Sequence, residues 1–258
     1  MLSIATWNVN SIRVRQAHVR AWLQTHAPDV LCIQETKATD DQFPVAAFEE
    51  IGYHASFAGQ KTYNGVALLS REPLGAVEAG FFGDPEPAQA RVIAGTLGAA
   101  GVRVVNVYVP NGSEVGSAKY AYKLEWLAAF RRFLESRHDP SEPLVVLGDF
   151  NIAPEDRDVH DPAAWQGQIL CSEPEREALG AIQTWGLTDL LRQHEVRGGL
   201  YSWWDYRAAS FRRNTGLRID LILATAPLVP RSTEVTIDRE PRGLEQPSDH
   251  APVMARFA

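Results

Sequence analysis

The chain has 258 residues, of which 45% are hydrophobic and 22% charged, and its formal net charge is -7. Such a composition is typical of a globular protein with an ordinary apolar core. The two cysteines form neither a zinc pattern nor a disulfide framework, no apolar run reaches the ~18 residues of a membrane span, and no signal peptide opens the chain. We therefore expect no membrane association and a reducing, cytoplasmic setting.

Three segments have the spacing of apolar residues that predicts a helix. The first runs from Ser11 to Ala27, with Ser11 as its predicted cap and a proline after its end. The second runs from Ala118 to Arg137 and has apolar residues on one side and arginines on the other. The third runs from Glu173 to Trp185.

Short apolar runs between these helices predict the strands. They are Ile4–Trp7, Val30–Ile33, Tyr53–Phe57, Val66–Leu69, Val92–Leu97, Val102–Val109, Leu144–Leu147, Ile219–Ala224, Val235–Ile237 and Pro252–Phe257. The runs between Tyr53 and Val109 follow one another without a helix, which argues against a doubly wound parallel sheet. We predict a single domain, residues 1–258, with the α/β fold of a four-layer sandwich: two mixed β-sheets packed face to face, with flanking helices.

Six of the predicted strands have polar side chains at one end. The segments are Asn8-Val9-Asn10, Gln34-Glu35-Thr36-Lys37, Tyr108-Val109-Pro110-Asn111, Asp149-Phe150-Asn151, Asp220 and Ser248-Asp249-His250. Any one of them has the ordinary composition of a turn. Six together predict a single pocket, provided that the strands end at a common rim.

Such a pocket would hold the groups needed to hydrolyse a phosphodiester. Carboxylate oxygens such as those of Glu35 suit a hard cation such as magnesium. An aspartate can take a proton from water, and neutral donors such as Asn8 and Asn151 can stabilise charge on a phosphate. His250 can donate to a phosphate oxygen if a carboxylate keeps it protonated. The sequence contains no zinc-spaced cluster and no glycine-rich phosphate loop that would indicate another chemistry.

The negative net charge counts against a simple nucleic-acid-binding protein. The segment from Arg197 to Arg218 is nevertheless basic, because it contains five arginines and one aspartate, a balance of 5 - 1 = +4. On charge alone a solvated surface is the better interpretation of this segment. A phosphate-binding face is the alternative.

The polar segments, in their order along the chain, resemble the motifs of the exonuclease III family. The matching segments are Trp7-Asn8-Val9-Asn10, Gln34-Glu35-Thr36-Lys37, Tyr108-Val109-Pro110-Asn111, Gly148-Asp149-Phe150-Asn151, Gly216-Leu217-Arg218-Ile219-Asp220 and Ser248-Asp249-His250. Three more segments resemble the DNA-repair branch: 59–66, 201–207 and 214–218. The resemblance covers nearly the whole chain. It implies the endonuclease/exonuclease/phosphatase fold and a hydrolase that cleaves DNA 5′ of abasic sites and removes 3′ blocking groups, with 3′-to-5′ exonuclease activity as a further expectation.

The resemblance also implies roles for the residues. Glu35 is the expected principal ligand of Mg²⁺, for which Mn²⁺ is the expected substitute, with Asn10 and Asp249 on the same side. Some relatives have an aspartate where this chain has Asn10. Asp149 is expected to position or deprotonate the attacking water. The other catalytic residues implied are Asn8, Tyr108, Asn151, Asp220 and His250, the last two as a carboxylate–imidazole pair.

The expected substrate is double-stranded DNA with an abasic site or a blocked 3′ end. Trp203, Leu217 and Ile219 match the residues that form the pocket for a flipped-out abasic sugar, whereas Trp204 is expected in the core. Flipping is least costly at a damaged site, which favours selection of the lesion. The residues matched to DNA contacts are Tyr63, Asn111 and Arg207; Lys37 fits a direct role and a solvated lysine about equally.

Two other functions stay open at this stage. The same chemistry could act on an inositol phosphate, a sphingomyelin or an RNA tail, although the chain has no apolar insertion for membrane contact. A non-enzymatic DNA-binding protein on the same fold would lack catalytic groups, yet all of them are present. We expect a monomer that acts at the bacterial nucleoid.

Overall fold

The computed structural model describes all 258 residues, and its strands form two six-stranded sheets. The strands are β1 (Leu2–Asn8), β2 (Val30–Gln34), β3 (His54–Ala58), β4 (Val66–Ser70), β5 (Gly75–Ala79), β6 (Val92–Leu97), β7 (Val102–Tyr108), β8 (Leu144–Asp149), β9 (Leu187–Asp189), β10 (Asp220–Thr225), β11 (Ser232–Ile237) and β12 (Val253–Phe257). The first sheet has the order β11-β12-β1-β2-β4-β3, and the second has the order β5-β6-β7-β8-β10-β9.

Seven α-helices connect or cover these sheets. They are α1 (Ile12–His26), α2 (Val45–Glu49), α3 (Ala118–Arg137), α4 (Pro162–Trp165), α5 (Glu173–Thr184), α6 (Leu190–His194) and α7 (Ser210–Arg213). The three long helices lie where the sequence predicts them. Ser11 precedes α1, but its side chain makes no capping hydrogen bond, so its predicted role as a cap is wrong.

In the buried strands, the apolar side chains alternate between two cores, as the period of an extended chain requires. In β1, Ile4 points into the core between the sheets, whereas Ala5 and Trp7 point outward and pack beneath α1 and α2. In β7, Val104 faces the same inter-sheet core, and Val105 packs beneath α3 and α5. The order of layers is therefore helix, sheet, sheet, helix, which confirms the predicted four-layer sandwich.

Both sheets contain parallel and antiparallel pairs. The pairs β1–β2 and β7–β8 are parallel, and the remaining pairs are antiparallel. The sequence did not predict β5, whose residues are all exposed, or β9, which has only three residues. No helix combines the length and the apolar character needed to cross a membrane.

Candidate active site

The register of the strands brings the predicted polar residues to one rim of the sandwich. Asn8 and Gln34 are partners at the carboxyl ends of the parallel strands β1 and β2. Tyr108 and Asp149 are partners at the carboxyl ends of β7 and β8. Asp220 begins the antiparallel strand β10 and lies opposite Asp149. Because backbone pairing fixes these positions, the convergence follows from the fold itself.

Three titratable side chains form a cluster in the cleft at this rim. Ligand atoms of Glu35, Asp149 and His250 all lie within 4.8 Å of one another. Asn8 lies between the two acids and bridges them: its Nδ2 donates to Glu35 Oε1 at 2.8 Å and to Asp149 Oδ2 at 2.9 Å. A neutral donor therefore holds together two carboxylates that would otherwise repel each other.

On the outer side of the cleft, a carboxylate oxygen of Glu35 and the amide oxygen of Asn10 both face the ammonium of Lys37. Glu35 Oε2 lies 2.7 Å from Lys37 Nζ, and the same ammonium donates to Asn10 Oδ1. The Oδ1 atom of Asp249 accepts from Asn10 Nδ2 at 3.1 Å, so this acid lies next to Asn10. Carboxylate and amide oxygens that face one cationic point are the donor set that a hard divalent ion requires. The residues present therefore fit a metal ion at this place.

His250 is held by the carboxylate of Asp220. Its Nδ1 lies 2.9 Å from Asp220 Oδ2, and its Nε2 faces Asp149 Oδ2 at 3.7 Å. Burial disfavours the charged imidazole, but the carboxylates of Asp220 and Asp149 outweigh burial and raise the pKa of His250 to about 10. The imidazole is therefore a donor at neutral pH.

Burial also raises the pKa values of Asp149 and Tyr108. Burial raises the pKa of Asp149 to about 7, against the effect of the neighbouring His250 charge. Burial and the nearby charges of Glu35 and Asp149 raise the pKa of Tyr108 well above its usual value. The phenol therefore stays protonated and can donate a hydrogen bond.

Asn151 connects the base of the cleft to the loop after β7. Its backbone N–H donates to Asp149 Oδ1 at 2.9 Å, and its Oδ1 accepts from Asn111 Nδ2 at 3.0 Å. Asn151 and Glu35 both have left-handed backbone conformations, with φ of 51° and 52°. Such conformations are uncommon for residues other than glycine and asparagine, so that of Glu35 indicates a site where the surroundings impose a side-chain direction.

The residues predicted to wall a sugar pocket lie together beside the cleft. Leu217 and Ile219 are buried in a small apolar cluster, and Trp203 packs against it. Trp203 pairs through its backbone with Leu217 and with His250, and its Nε1 donates to Asp249 Oδ2 at 3.0 Å. The apolar wall is thus joined directly to the polar cleft. Trp204 is fully buried in a separate cluster, as expected.

The remaining predicted residues lie on the surface around the cleft. Tyr63 and Asn111 line a groove of about 420 Å³ that reaches Tyr108. Arg207 has a side chain that is 91% exposed and lies 3.8 Å from Asp205. The structure thus leaves these groups accessible to a large ligand.

Two buried cations near the cleft were not predicted. The guanidinium of Arg91 stacks over the Tyr108 ring at 4.8 Å and donates to the Tyr108 carbonyl at 3.2 Å. Lys123 is fully buried beneath Asn111 and Asn151. Little in the sequence marks either residue. Arg91 directly precedes an apolar strand, and Lys123 lies in a helix with an apolar face, but many surface residues occupy positions of the same kind.

The sandwich and the acids at its rim define a class of metal-dependent hydrolases. The profile described as the Endonuclease/Exonuclease/phosphatase family matches residues 5–250. The chain is 35% identical to exodeoxyribonuclease III of Haemophilus influenzae, over 99% of this chain and 100% of that protein.

Solved structures of similar proteins indicate the same family. A 3′ phosphatase from Neisseria, bound to a product DNA hairpin, is 46% identical with a TM-score of 0.95, over 100% of both chains. An AP endonuclease from Archaeoglobus fulgidus is 42% identical with a TM-score of 0.94, over 100% of this chain and 99% of that one. This chain belongs to the endonuclease/exonuclease/phosphatase family, and its resemblance to the exonuclease III branch is confirmed.

Proposed function

We propose that this protein is a Mg²⁺-dependent DNA-repair phosphodiesterase that cleaves 5′ of abasic sites and removes 3′ blocking groups, with 3′-to-5′ exonuclease activity on the same site. The observation that carries the proposal is the convergence of Glu35, Asp149 and His250 within 4.8 Å, beside an apolar pocket. The polar groups suit a phosphodiester, and the pocket suits a sugar that has lost its base.

The metal side of the cleft is assigned to Glu35 and Asn10, with Asp249 behind them. A bound Mg²⁺, or Mn²⁺ in its place, would neutralise phosphate charge and stabilise the leaving oxygen. Both oxygens of Asp249 already accept hydrogen bonds, from Asn10 and Trp203. This arrangement supports a role for Asp249 in orienting Asn10 and the bound ion.

Asp149 is assigned to the attacking water. The water oxygen forms a bond to phosphorus, its proton passes to the carboxylate of Asp149, and the P–O3′ bond breaks with the electron pair leaving on O3′. The O3′ oxygen then takes a proton from solvent water and becomes the 3′-hydroxyl. The backbone and side-chain N–H groups of Asn151 hold Asp149 from one side at 2.9 and 3.3 Å, and Asn8 holds it from the other. The carboxylate therefore has a fixed direction before substrate binds.

Donors on the opposite side of the cleft are assigned to the phosphate. The protonated His250, oriented by Asp220, and the phenol of Tyr108 can donate to phosphate oxygens as negative charge develops on them. Cleavage 5′ of the lesion would leave a 3′-hydroxyl on one fragment and a 5′-phosphate on the abasic sugar.

In this proposal the apolar wall forms the pocket for the abasic sugar, and the exposed side chains contact the DNA duplex. Trp203, Leu217 and Ile219 would exclude an intact nucleotide and admit a deoxyribose without a base. The side chains assigned to the DNA backbone are Tyr63, Asn111 and Arg207, and they would position the duplex without reading its sequence. Lys37 forms a salt bridge with Glu35, so in this proposal it moves toward a phosphate when a metal ion binds.

A single gel assay tests the proposal. The protein is given a duplex with one tetrahydrofuran abasic analogue, with Mg²⁺ or with EDTA, beside an intact duplex. We expect a nick 5′ of the analogue that leaves a 3′-hydroxyl, only when Mg²⁺ is present. Internal nicking of the intact duplex at an equal rate, as distinct from digestion from its 3′ ends, would refute it, and so would nicking that persists in EDTA.

The second activity is tested in the same assay with a 3′-phosphate end. It is favoured by the 46% identity to a 3′ phosphatase from Neisseria. We also propose that the protein works as a monomer in the bacterial cytoplasm, at the nucleoid, and expect light scattering to give the mass of one chain, 28.6 kDa.

A further inference from the structure

Lys123 is a charged residue in a position where a helix normally places an apolar one. It lies in α3 on the face that packs against the second sheet, and its side chain has no exposed surface. A buried ammonium is unfavourable unless every one of its donors is paired. The three hydrogen-bond partners of the Lys123 ammonium therefore indicate the function of this buried charge.

Two of the three partners are backbone carbonyls in the candidate active site. Lys123 Nζ donates to the Asn151 carbonyl at 2.6 Å and to the Asn111 carbonyl at 3.1 Å. These loops lie 40 residues apart in the chain and are also joined by the Asn111–Asn151 side-chain hydrogen bond. One ammonium thus fixes the backbone of both loops from beneath.

The third partner is the carboxylate of Glu175, which is also fully buried. Glu175 lies in the first turn of α5 and accepts from the backbone N–H groups of Leu170 and Ser172, each at 3.1 Å, and from Ser172 Oγ at 2.6 Å. Its charge is therefore compensated by hydrogen bonds within its own helix cap as well as by Lys123. The carboxylate neutralises the ammonium, and its hydrogen-bond partners do not include Asn111 or Asn151.

The backbone of Asn151 explains the need for a strong donor. Asn151 has a left-handed conformation with φ of 51°, and its carbonyl points into the interior, away from water. A carbonyl buried in this way needs a partner, and a charged donor forms a stronger bond than a neutral one. Buried ion pairs contribute little to net stability compared with apolar residues of similar size. The contacts of this pair therefore indicate a role in the geometry of the site.

We propose that Lys123 is a positioning residue of this active site, which holds Asn111 and Asn151 in the conformation that cleavage requires, while Glu175 serves as its counter-ion. The inference rests on the proposed function, in which Asn151 orients Asp149, the residue that takes the proton of the attacking water, and Asn111 contacts the DNA backbone. Lys123 itself touches neither substrate nor metal.

Three variants separate positioning from stability. Lys123→Met removes the donor and leaves a lone buried carboxylate, so we expect a lower Tm and a kcat about 10²-fold lower, because small displacements of catalytic groups have effects of this size. Glu175→Gln keeps the ammonium and its bonds to both carbonyls, so we expect a lower Tm but a kcat within about threefold of the unchanged protein. The double variant Lys123→Met/Glu175→Gln carries no lone charge, so its Tm should recover while its kcat stays low.

The assays use the tetrahydrofuran duplex at saturating DNA, at a temperature at which circular dichroism shows each variant to be folded. Calorimetric titration with Mn²⁺ gives a second measurement, and we expect an unchanged Kd in all three variants because Glu35 and Asn10 lie outside the Lys123 contacts. The proposal is overturned if the double variant recovers both Tm and kcat, or if Glu175→Gln loses as much kcat as Lys123→Met. Absence of nicking by the unchanged protein would instead refute the proposed function. If Lys123→Met does not fold, the double variant still decides the question.

Discussion

At the scale of single residues, the contacts of the cleft meet on the buried carboxylate of Asp149. It accepts hydrogen bonds from Asn8 and from the backbone of Asn151, and it faces His250 across 3.7 Å. Because Asn8 ends β1 and Asn151 lies in the segment that follows β8, the carboxylate is oriented by groups from two parts of the rim. A substitution that keeps its shape but removes its basicity therefore tests chemistry with little change in packing.

Asp149→Asn provides this test. In the proposed function the amide cannot take the proton of the attacking water, so we expect the rate of nicking at an abasic analogue to fall by at least about 10²-fold, within the range of general-base contributions. Single-turnover gel assays with saturating Mg²⁺ measure the rate. A matched control is Asp156→Asn, because Asp156 has a side chain that is 73% exposed and pairs with Arg176 outside the cleft. Near-normal turnover by Asp149→Asn would remove Asp149 from its assigned role.

At the scale of elements, the end of β8 places Asp149 and Asn151 at the rim. Gly148 precedes Asp149, with φ of 147°, and a Cβ atom added there would lie 1.9 Å from the Val107 carbonyl oxygen. The strand therefore approaches β7 so closely at this point that no side chain fits. The close approach brings Asp149 opposite Tyr108 in the register of the sheet.

Gly148→Ala should therefore destabilise the protein. Backbone strain and overpacking together lead us to expect a loss of about 2–4 kcal/mol in the free energy of unfolding. Urea unfolding followed by circular dichroism measures it. Gly180→Ala is the matched control, because Gly180 lies inside α5 with nothing within 4 Å of an added Cβ. There the same change should raise stability by about 0.5–1 kcal/mol, and equal effects at both glycines would contradict the argument.

The elements that the sequence predicts well are those with a strong apolar pattern. The runs that form β2, β4 and β8 are continuously apolar, as is typical of strands buried on both faces. The pattern was absent in β5, whose side chains are exposed, and too short in β9. The order of strands in each sheet was not predictable, because it depends on pairing between segments far apart in the chain.

The candidate site was predictable to a similar extent. Polar residues after apolar runs indicated which side chains would gather, and the fold brings Asn8, Asp149 and Asp220 to one rim. Lys123 was missed because a lysine in a helix usually extends into solvent. Only the tertiary structure shows that its donors end on carbonyls of two other segments.

At the scale of the whole molecule, both ends of the chain belong to one sheet. β1 pairs with β12 on one side and with β2 on the other, so neither the first nor the last strand can leave without opening the core between the sheets. This arrangement supports the expected single domain. It also means that Glu35, which follows β2, is connected through the sheet to His250, which precedes β12.

Binding of a divalent ion should therefore stabilise the entire fold. An ion that binds only the folded chain adds about 2.7 kcal/mol at a concentration one hundred times its Kd. For a chain of this size such a gain corresponds to an increase in Tm of roughly 5–10 °C. Differential scanning fluorimetry with increasing MgCl₂ measures the shift, with NaCl at equal ionic strength as the reference, and one unfolding transition is expected throughout.

Glu35→Gln should abolish most of this shift, because the amide retains the size of the side chain but loses the negative charge that a hard cation needs. The control Glu50→Gln changes the charge of the chain equally, at a side chain that is 66% exposed and pairs with Arg20 far from the cleft. Its Tm should rise with Mg²⁺ as in the unchanged protein. If both variants keep the shift, the ion binds outside the cleft and the assignment of Glu35 is wrong; if both lose it, the effect comes from net charge and the cleft holds no specific ion.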